Sequence, residues 1–199
     1  MQVGELAPSF TLPAANREGE ITLEDYRGEM PLLLALFRGL YCPFCRRRIS
    51  LLRPACESLR DAGVALLGVV IATPERARQY FRHFPACFPI AAAPDRSIHR
   101  AYGVVESTWT RELLQKAERD SARILREMGT EAPTGQATAA FIRANGFDVS
   151  AEDDAEMRRP SQSVGYFLVM PDGRIRLARV EQLDPVPDVD EILRRLTSP

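Results

Sequence analysis

Cys42 and Cys45 stand three positions apart across a proline in the stretch LFRGLYCPFCRRR, residues 36–48. Four chemistries fit two cysteines at that spacing: a dithiol/disulfide couple, a peroxide-reducing thiol with a helper, half of a zinc site, or plain core packing. A thiol reacts as its thiolate, and a free cysteine near pKa 8.5 is mostly protonated at neutral pH. The start of a helix changes that balance, because unpaired N–H groups and the macrodipole place partial positive charge there. Proline suits the first helical position, since its missing N–H had no partner in that turn. The spacing therefore predicts Cys42 as N-cap, Pro43 as first helical residue and Cys45 within the first turn.

Arg46, Arg47 and Arg48 follow at once, and Arg38 lies just upstream. Cations in a first helical turn are unfavourable by some tenths of a kcal/mol each. Three in a row break a local rule, which is expected where a site demands it. Such a field favours thiolate and holds an anionic substrate; the plainer reading has the arginines reaching water or acidic partners. Zinc needs four ligands, commonly two close pairs. Beyond Cys42 and Cys45 only Cys56, Cys87, His83 and His99 remain, scattered singly, so neither metal nor organic cofactor is expected. The candidate catalytic residues are Cys42 and Cys45, with Arg38, Pro43 and Arg46 binding substrate or stabilising thiolate.

These residues need a scaffold. PLLLALFR (31–38) is a continuous apolar run, as in a strand buried on both faces. Ile49, Leu52, Cys56 and Leu59 recur at spacings of three and four, one face of a helix that should end near Gly63. Cys56 on that face reads as a small core hydrophobe. Eleven helical residues put it about 16 Å from Cys45, too far for a disulfide between them. Cys87 reads as a buried or loop thiol. VALLGVVIA (64–72) is a second buried strand. Thr73 and Pro74 then open a helix with Tyr80, Phe81 and Phe84 inward. A short helix passes through His99; it and His83 receive no role. VGYFLVM and RIRLARV, joined at Pro-Asp-Gly, predict a hairpin. The final helix should turn Val189, Ile192, Leu193 and Leu196 inward.

Residues 105–160 depart from this plan. An amphipathic helix is predicted over 111–128, with Leu113, Leu114, Ala117, Ile124, Leu125 and Met128 on its apolar side. An apolar patch, ATAAFI, and an acidic AEDDAE follow. The insertion is a helical excursion packed on the core, a cover for the site, or a dimer contact. The whole is read as one domain, residues 1–199, of α/β class.

Composition narrows the partners. The 199 residues are 45% hydrophobic and 27% charged, ordinary for a soluble globular protein. A net charge of −1 gives no general pull toward nucleic acid or anionic membrane. No apolar run approaches the roughly 20 residues of a membrane span. The N-terminus lacks the basic-then-apolar order of a secretory signal, so a cytoplasmic location is expected. There a close cysteine pair is catalytic or metal-binding rather than a staple.

Five segments in register, VGELAPSFTLPA, LLLALFRGLYCPFCR, GVVIATPERARQYF, FPIAAAPDRSIHRAYGV and SQSVGYFLVMPDGRI, resemble the peroxiredoxin-like branch of the alkyl hydroperoxide reductase and thiol-specific antioxidant family. The resemblance implies a thioredoxin-like fold: a mixed central sheet flanked by helices, with the helical insertion preceding the C-terminal hairpin. It also implies two ways to use the pair. In the peroxiredoxin motif Cys45 takes the attacking place, Cys42 replaces a Thr and Arg38 replaces a Pro. In a thioredoxin-like reductase Cys42, the more exposed thiol, attacks and Cys45 resolves. Val164 stands where the first class carries an arginine and the second a cis-proline, and Arg38 is the candidate substitute. Implied substrates are hydroperoxides or disulfides, and the implied reductant is an external system such as thioredoxin or glutathione. A homodimer follows by analogy. A redox-inactive module binding a partner through the insertion is the alternative from another class.

Overall fold

The structure, a computed structural model, describes residues 1–108, 110–116, 119, 123, 144, 150–157, 159, 161–181 and 189–197. The apolar run at 31–38 becomes β3 (Leu32–Leu36), the centre of a five-stranded sheet. β4 (Ala65–Val70) and β5 (Ile90–Ala92) lie parallel on one side of it, in the order β3-β4-β5. β8 (Val164–Val169) and β9 (Ile175–Glu181) run antiparallel on the other. Parallel neighbours need crossovers, and two helices supply them. α1 (Pro43–Asp61) joins β3 to β4, and α2 (Pro74–His83) joins β4 to β5. The expected mixed sheet flanked by helices is what forms.

Side chains on β3 alternate between two cores, as a two-residue repeat requires. Leu33, Ala35 and Phe37 pack with Ile49, Leu52 and Leu59 of α1. Leu32, Leu34 and Leu36 pack on the opposite face with Phe10, Ile21 and Tyr102. α5 (Val189–Thr197) covers the first core with Ile192 buried and Val189, Leu193 and Leu196 packed against it. The predicted hairpin closes at Gly173, whose φ of +80° suits glycine. Met170 N–H donates to the Arg174 carbonyl at 2.8 Å across that turn. An N-terminal hairpin, β1 (Thr11–Pro13) with β2 (Glu20–Thr22), was not among the sequence expectations. Its strands are three residues each, too short to show periodicity.

The insertion leaves and returns at one place. β6 (Glu106–Ser107) pairs antiparallel with β7 (Ser161–Gln162). The acidic AEDDAE forms α4 (Ala151–Met157), after α3 (Ser97–Ala101) in chain order. Ser150 and Asp153 cap its start reciprocally, N–H to side chain in both directions, at 2.8 and 3.2 Å. Asp153 then reaches Arg76 of α2 at 2.5 Å. Glu156 pairs with Arg96, which also holds Glu106 of β6. Of the predicted 111–128 helix, residues 111–116, 119 and 123 are described, and each is helical. Leu113 is buried as expected, but Leu114 is 45% exposed. One step along a helix turns a side chain about 100°, so Leu114 falls at the margin of the face that buries Leu113. Ala117, Ile124, Leu125, Met128 and the ATAAFI patch lie outside the described residues.

Candidate active site

β3 ends at Leu36, and the chain crosses Phe37 to Tyr41 before α1 begins. Phe37 N–H still bonds the Val69 carbonyl, at 2.8 Å, so the segment leaves the sheet only at Arg38. Cys42 N–H donates to the Gly39 carbonyl at 3.1 Å, closing a turn. Gly39 is required by space. A Cβ there would lie 2.4 Å from the Tyr41 ring and 3.2 Å from the Ile71 carbonyl. Cys42 is the N-cap, with extended backbone (φ −77°, ψ 113°), and Pro43 occupies the first turn. Arg46 N–H makes the first helical bond to the Cys42 carbonyl at 3.2 Å. The backbone thus places both sulfurs in the opening turn of a 19-residue helix.

Both thiols are unoxidised and both are buried, Cys42 4% exposed and Cys45 0%. The expected exposed N-cap thiol is therefore nearly enclosed. The two sulfurs share a hydrogen bond, which is the largest influence on Cys42. Together with the Arg38 and Arg48 cations it outweighs burial and lowers the Cys42 pKa from 9.0 to about 5. Burial, followed by the hydrogen bond to Cys42 and its charge, pushes the Cys45 thiol well up. The pair accordingly shares one proton and one negative charge, and the directions of the two shifts favour the charge on Cys42. The backbone N–H of Arg38 donates to Cys45 Sγ at 3.3 Å, fixing that sulfur from the other side.

The proposed helper residues separate. Arg38, 6% exposed, acts on both thiols. Arg46 turns instead to α2: its Nε donates to the Tyr80 hydroxyl at 3.1 Å, and its guanidinium lies over the Tyr80 and Phe84 rings. Arg48, 1% exposed, is the second cation beside the pair. It belongs to the arginine run, but nothing in the run marks which member faces inward. Val164 is fully buried and shares the core cluster of Cys42 and Cys45. No peptide bond among the described residues is cis.

Two residues without an assigned role support the site. His99 is fully buried, and burial lowers its pKa from 6.5 to about 4, so the ring is neutral. Its Nε2 lies 2.8 Å from the Phe37 carbonyl, and as the donor it pins the strand end that carries Arg38. Burial raises the Tyr41 pKa, and the negative charge of the nearby cysteine pair and of Glu156 adds to it. Glu156 of α4 is thus close enough to Tyr41, beside the thiols, for its charge to be felt there.

Cys56 and Cys87 correct the sequence reading. Cys56 is a core residue, 7% exposed, but it is bonded to Cys87 in a disulfide with Cα atoms 6.6 Å apart. The two are 31 residues apart, so only the packing of α1 on the α2–β5 loop brings them together. Cys87 lies exposed in the α2–β5 loop, one of the two placements expected, but bonded instead of as a thiol. Among the described residues, no three His, Cys, Asp or Glu side chains gather as for a metal. No helix of the described residues is long and apolar enough to cross a membrane.

The AhpC/TSA family profile matches residues 3–134. Peroxiredoxin Bcp of Escherichia coli is 26% identical over 104 residues, 52% of this chain and 65% of that protein. Alkyl hydroperoxide reductase E of Mycobacterium tuberculosis is 27% identical over 106 residues, 52% of this chain and 69% of that one. The chain thus spans just under two thirds of the length of the first relative. In fold it is similar to peroxidoxin BcpB from Mycobacterium tuberculosis, with a TM-score of 0.63 and 11% identity, over 98% of this chain and 96% of that one.

Proposed function

Because the chain belongs to the AhpC/TSA family, we propose that it is a thiol-dependent oxidoreductase that reduces hydroperoxides through Cys42 and Cys45. One observation carries the reading. Two buried sulfurs in the opening turn of α1 share a hydrogen bond beside the Arg38 and Arg48 cations, an arrangement that lowers the Cys42 pKa and so favours its thiolate. Cys42 attacks the distal peroxide oxygen and the O–O bond breaks. The leaving alkoxide takes the proton of Cys45. Cys42 is now a sulfenic acid and Cys45 a thiolate, so Cys45 attacks the Cys42 sulfur and expels hydroxide. The products are an alcohol and a Cys42–Cys45 disulfide, two electrons having passed to the peroxide. Arg38 and Arg48 stabilise the anion throughout, in the place of the arginine missing at Val164.

Burial favours the small substrate. A hydroperoxide reaches a sulfur that is 4% exposed, whereas a disulfide within a folded protein demands that the mouth open. Thiol–disulfide exchange is the second reading, and the low pKa of Cys42 serves it equally. An external thiol system such as thioredoxin or glutathione would return the pair to the reduced state. A cytoplasmic location and a homodimer belong to the same proposal.

The test is to titrate reduced protein separately with hydrogen peroxide and with an oxidised dithiol, counting thiols by mass spectrometry. Cys45→Ser should retain rapid peroxide attack and stop at the sulfenic acid, while Cys42→Ser should be inert. The opposite pattern assigns the attack to Cys45. Trapped mixed disulfides in Cys45→Ser without peroxide loss select exchange. Inertness to both oxidants leaves the redox-inactive binding module.

A further inference from the structure

Cys56 and Cys87 line the wall of a cleft of about 520 Å³, within the size range of small-molecule sites. It is separate from the Cys42–Cys45 pair, since Cys56 lies eleven residues, about 16 Å, along α1 from Cys45. The disulfide has two unequal ends. Cys56 is 7% exposed, whereas Cys87 sits exposed in the loop between α2 and β5. An incoming thiolate therefore meets the Cys87 sulfur and leaves Cys56 as the departing group.

The cleft lining carries one charged side chain of each sign. Arg60 stands one helical turn beyond Cys56, hence on the same side of α1, and it lines the cleft. Glu29 lines it from the segment before β3, with Tyr26 and Met30 beside it. Arg60 and Glu29 are both exposed side chains, free of the buried pair's constraints. One cation and one anion in the lining of a cleft that also holds a disulfide match a molecule that carries a carboxylate, an ammonium and a thiol together.

We infer that Cys56–Cys87 is a second thiol-exchange centre whose cleft takes a small zwitterionic amino thiol, its carboxylate toward Arg60 and its ammonium toward Glu29. The thiolate attacks Cys87 Sγ, the protein S–S bond breaks, and Cys56 leaves as thiolate and takes a proton. A second thiolate attacks the mixed disulfide and frees Cys87. Two small thiols give up two electrons and become one small disulfide; the protein disulfide gains them and becomes two thiols.

The experiment uses the full chain with Cys42→Ser and Cys45→Ser, so that only this disulfide reports. L-cysteine is compared with uncharged mercaptoethanol, each rate corrected for its thiolate fraction and divided by that thiol's rate with an uncharged model disulfide, which removes intrinsic nucleophilicity. L-cysteine should open the bond about two- to tenfold faster, as two exposed charge contacts allow, with the first adduct on Cys87. Arg60→Gln with Glu29→Gln should abolish the preference and spare the mercaptoethanol rate. Peptide mapping of Cys56 and Cys87 in the otherwise unchanged chain gives the same readout should the double serine variant fail to fold. Equal corrected rates, a first adduct on Cys56, or opening only as denaturant unfolds the chain would overturn the inference and leave a structural cross-link.

Discussion

Replacing Cys45 with alanine isolates the interaction that governs the site. The drop in Cys42 from 9.0 to about 5 corresponds to about 5 kcal/mol of preference for thiolate, at 1.36 kcal/mol per unit. Its largest cause is the hydrogen bond with Cys45. A hydrogen bond to a charged group contributes about 1.5–3 kcal/mol, or about one to two units. Cys45→Ala should therefore bring Cys42 to a pKa of about 6 to 7. The thiolate fraction at pH 7 would fall from about 0.99 to between about 0.5 and 0.9. Cys45→Ser keeps an O–H donor and should rise less. The assay is the pH dependence of alkylation by a small reagent, checked by thiolate ultraviolet absorbance. A Cys45→Ala protein still titrating near 5 refutes the hydrogen-bond account. A low-pKa thiol that survives in Cys42→Ala refutes the placement of the charge on Cys42.

Arg38→Met removes a cation acting on Cys42 and should raise its pKa by about one unit; an unchanged peroxide rate would mean that Arg38 does not substitute for the missing arginine. His99 binds a proton more readily unfolded (6.5) than folded (about 4). Its contribution is therefore fully present above about pH 6.5 and is lost on acidification toward 4. Between pH 7 and 5 the wild type should lose about 2 kcal/mol more stability than His99→Gln in urea unfolding. Gly39→Ala drives a Cβ into the Tyr41 ring and should cost about 1–3 kcal/mol by overpacking, read as a lowered Tm. Asp153→Asn weakens the pair with Arg76, so amide exchange in α4 should quicken while the central sheet stays protected.

Much of the site was legible because it is local. The N-cap at Cys42, Pro43 behind it and the buried strand before it all follow from neighbours in the chain. Helix starts, apolar strand runs and the turn at Gly173 are decided over a few residues, where backbone sterics and hydrogen bonding act. The capping pair Ser150 and Asp153 carried a similar local signal, three residues apart, within a segment read only as acidic.

Tertiary structure decided the rest. Four adjacent or near-adjacent arginines look alike in sequence, yet Arg38 and Arg48 act on the thiols while Arg46 turns to Tyr80 and Phe84. Which way a long side chain points depends on what distant segment packs beside it. The Cys56–Cys87 bond, the His99 contact with Phe37 and the clamp of α4 on Arg76 and Arg96 join residues 31 to 77 positions apart. Residue types and spacing determined that a cysteine sulfur sits where a helix begins. Its proton, its counter-charges and its enclosure came from the folded chain, because electrostatic energy depends on distance through space and burial on the whole packed core.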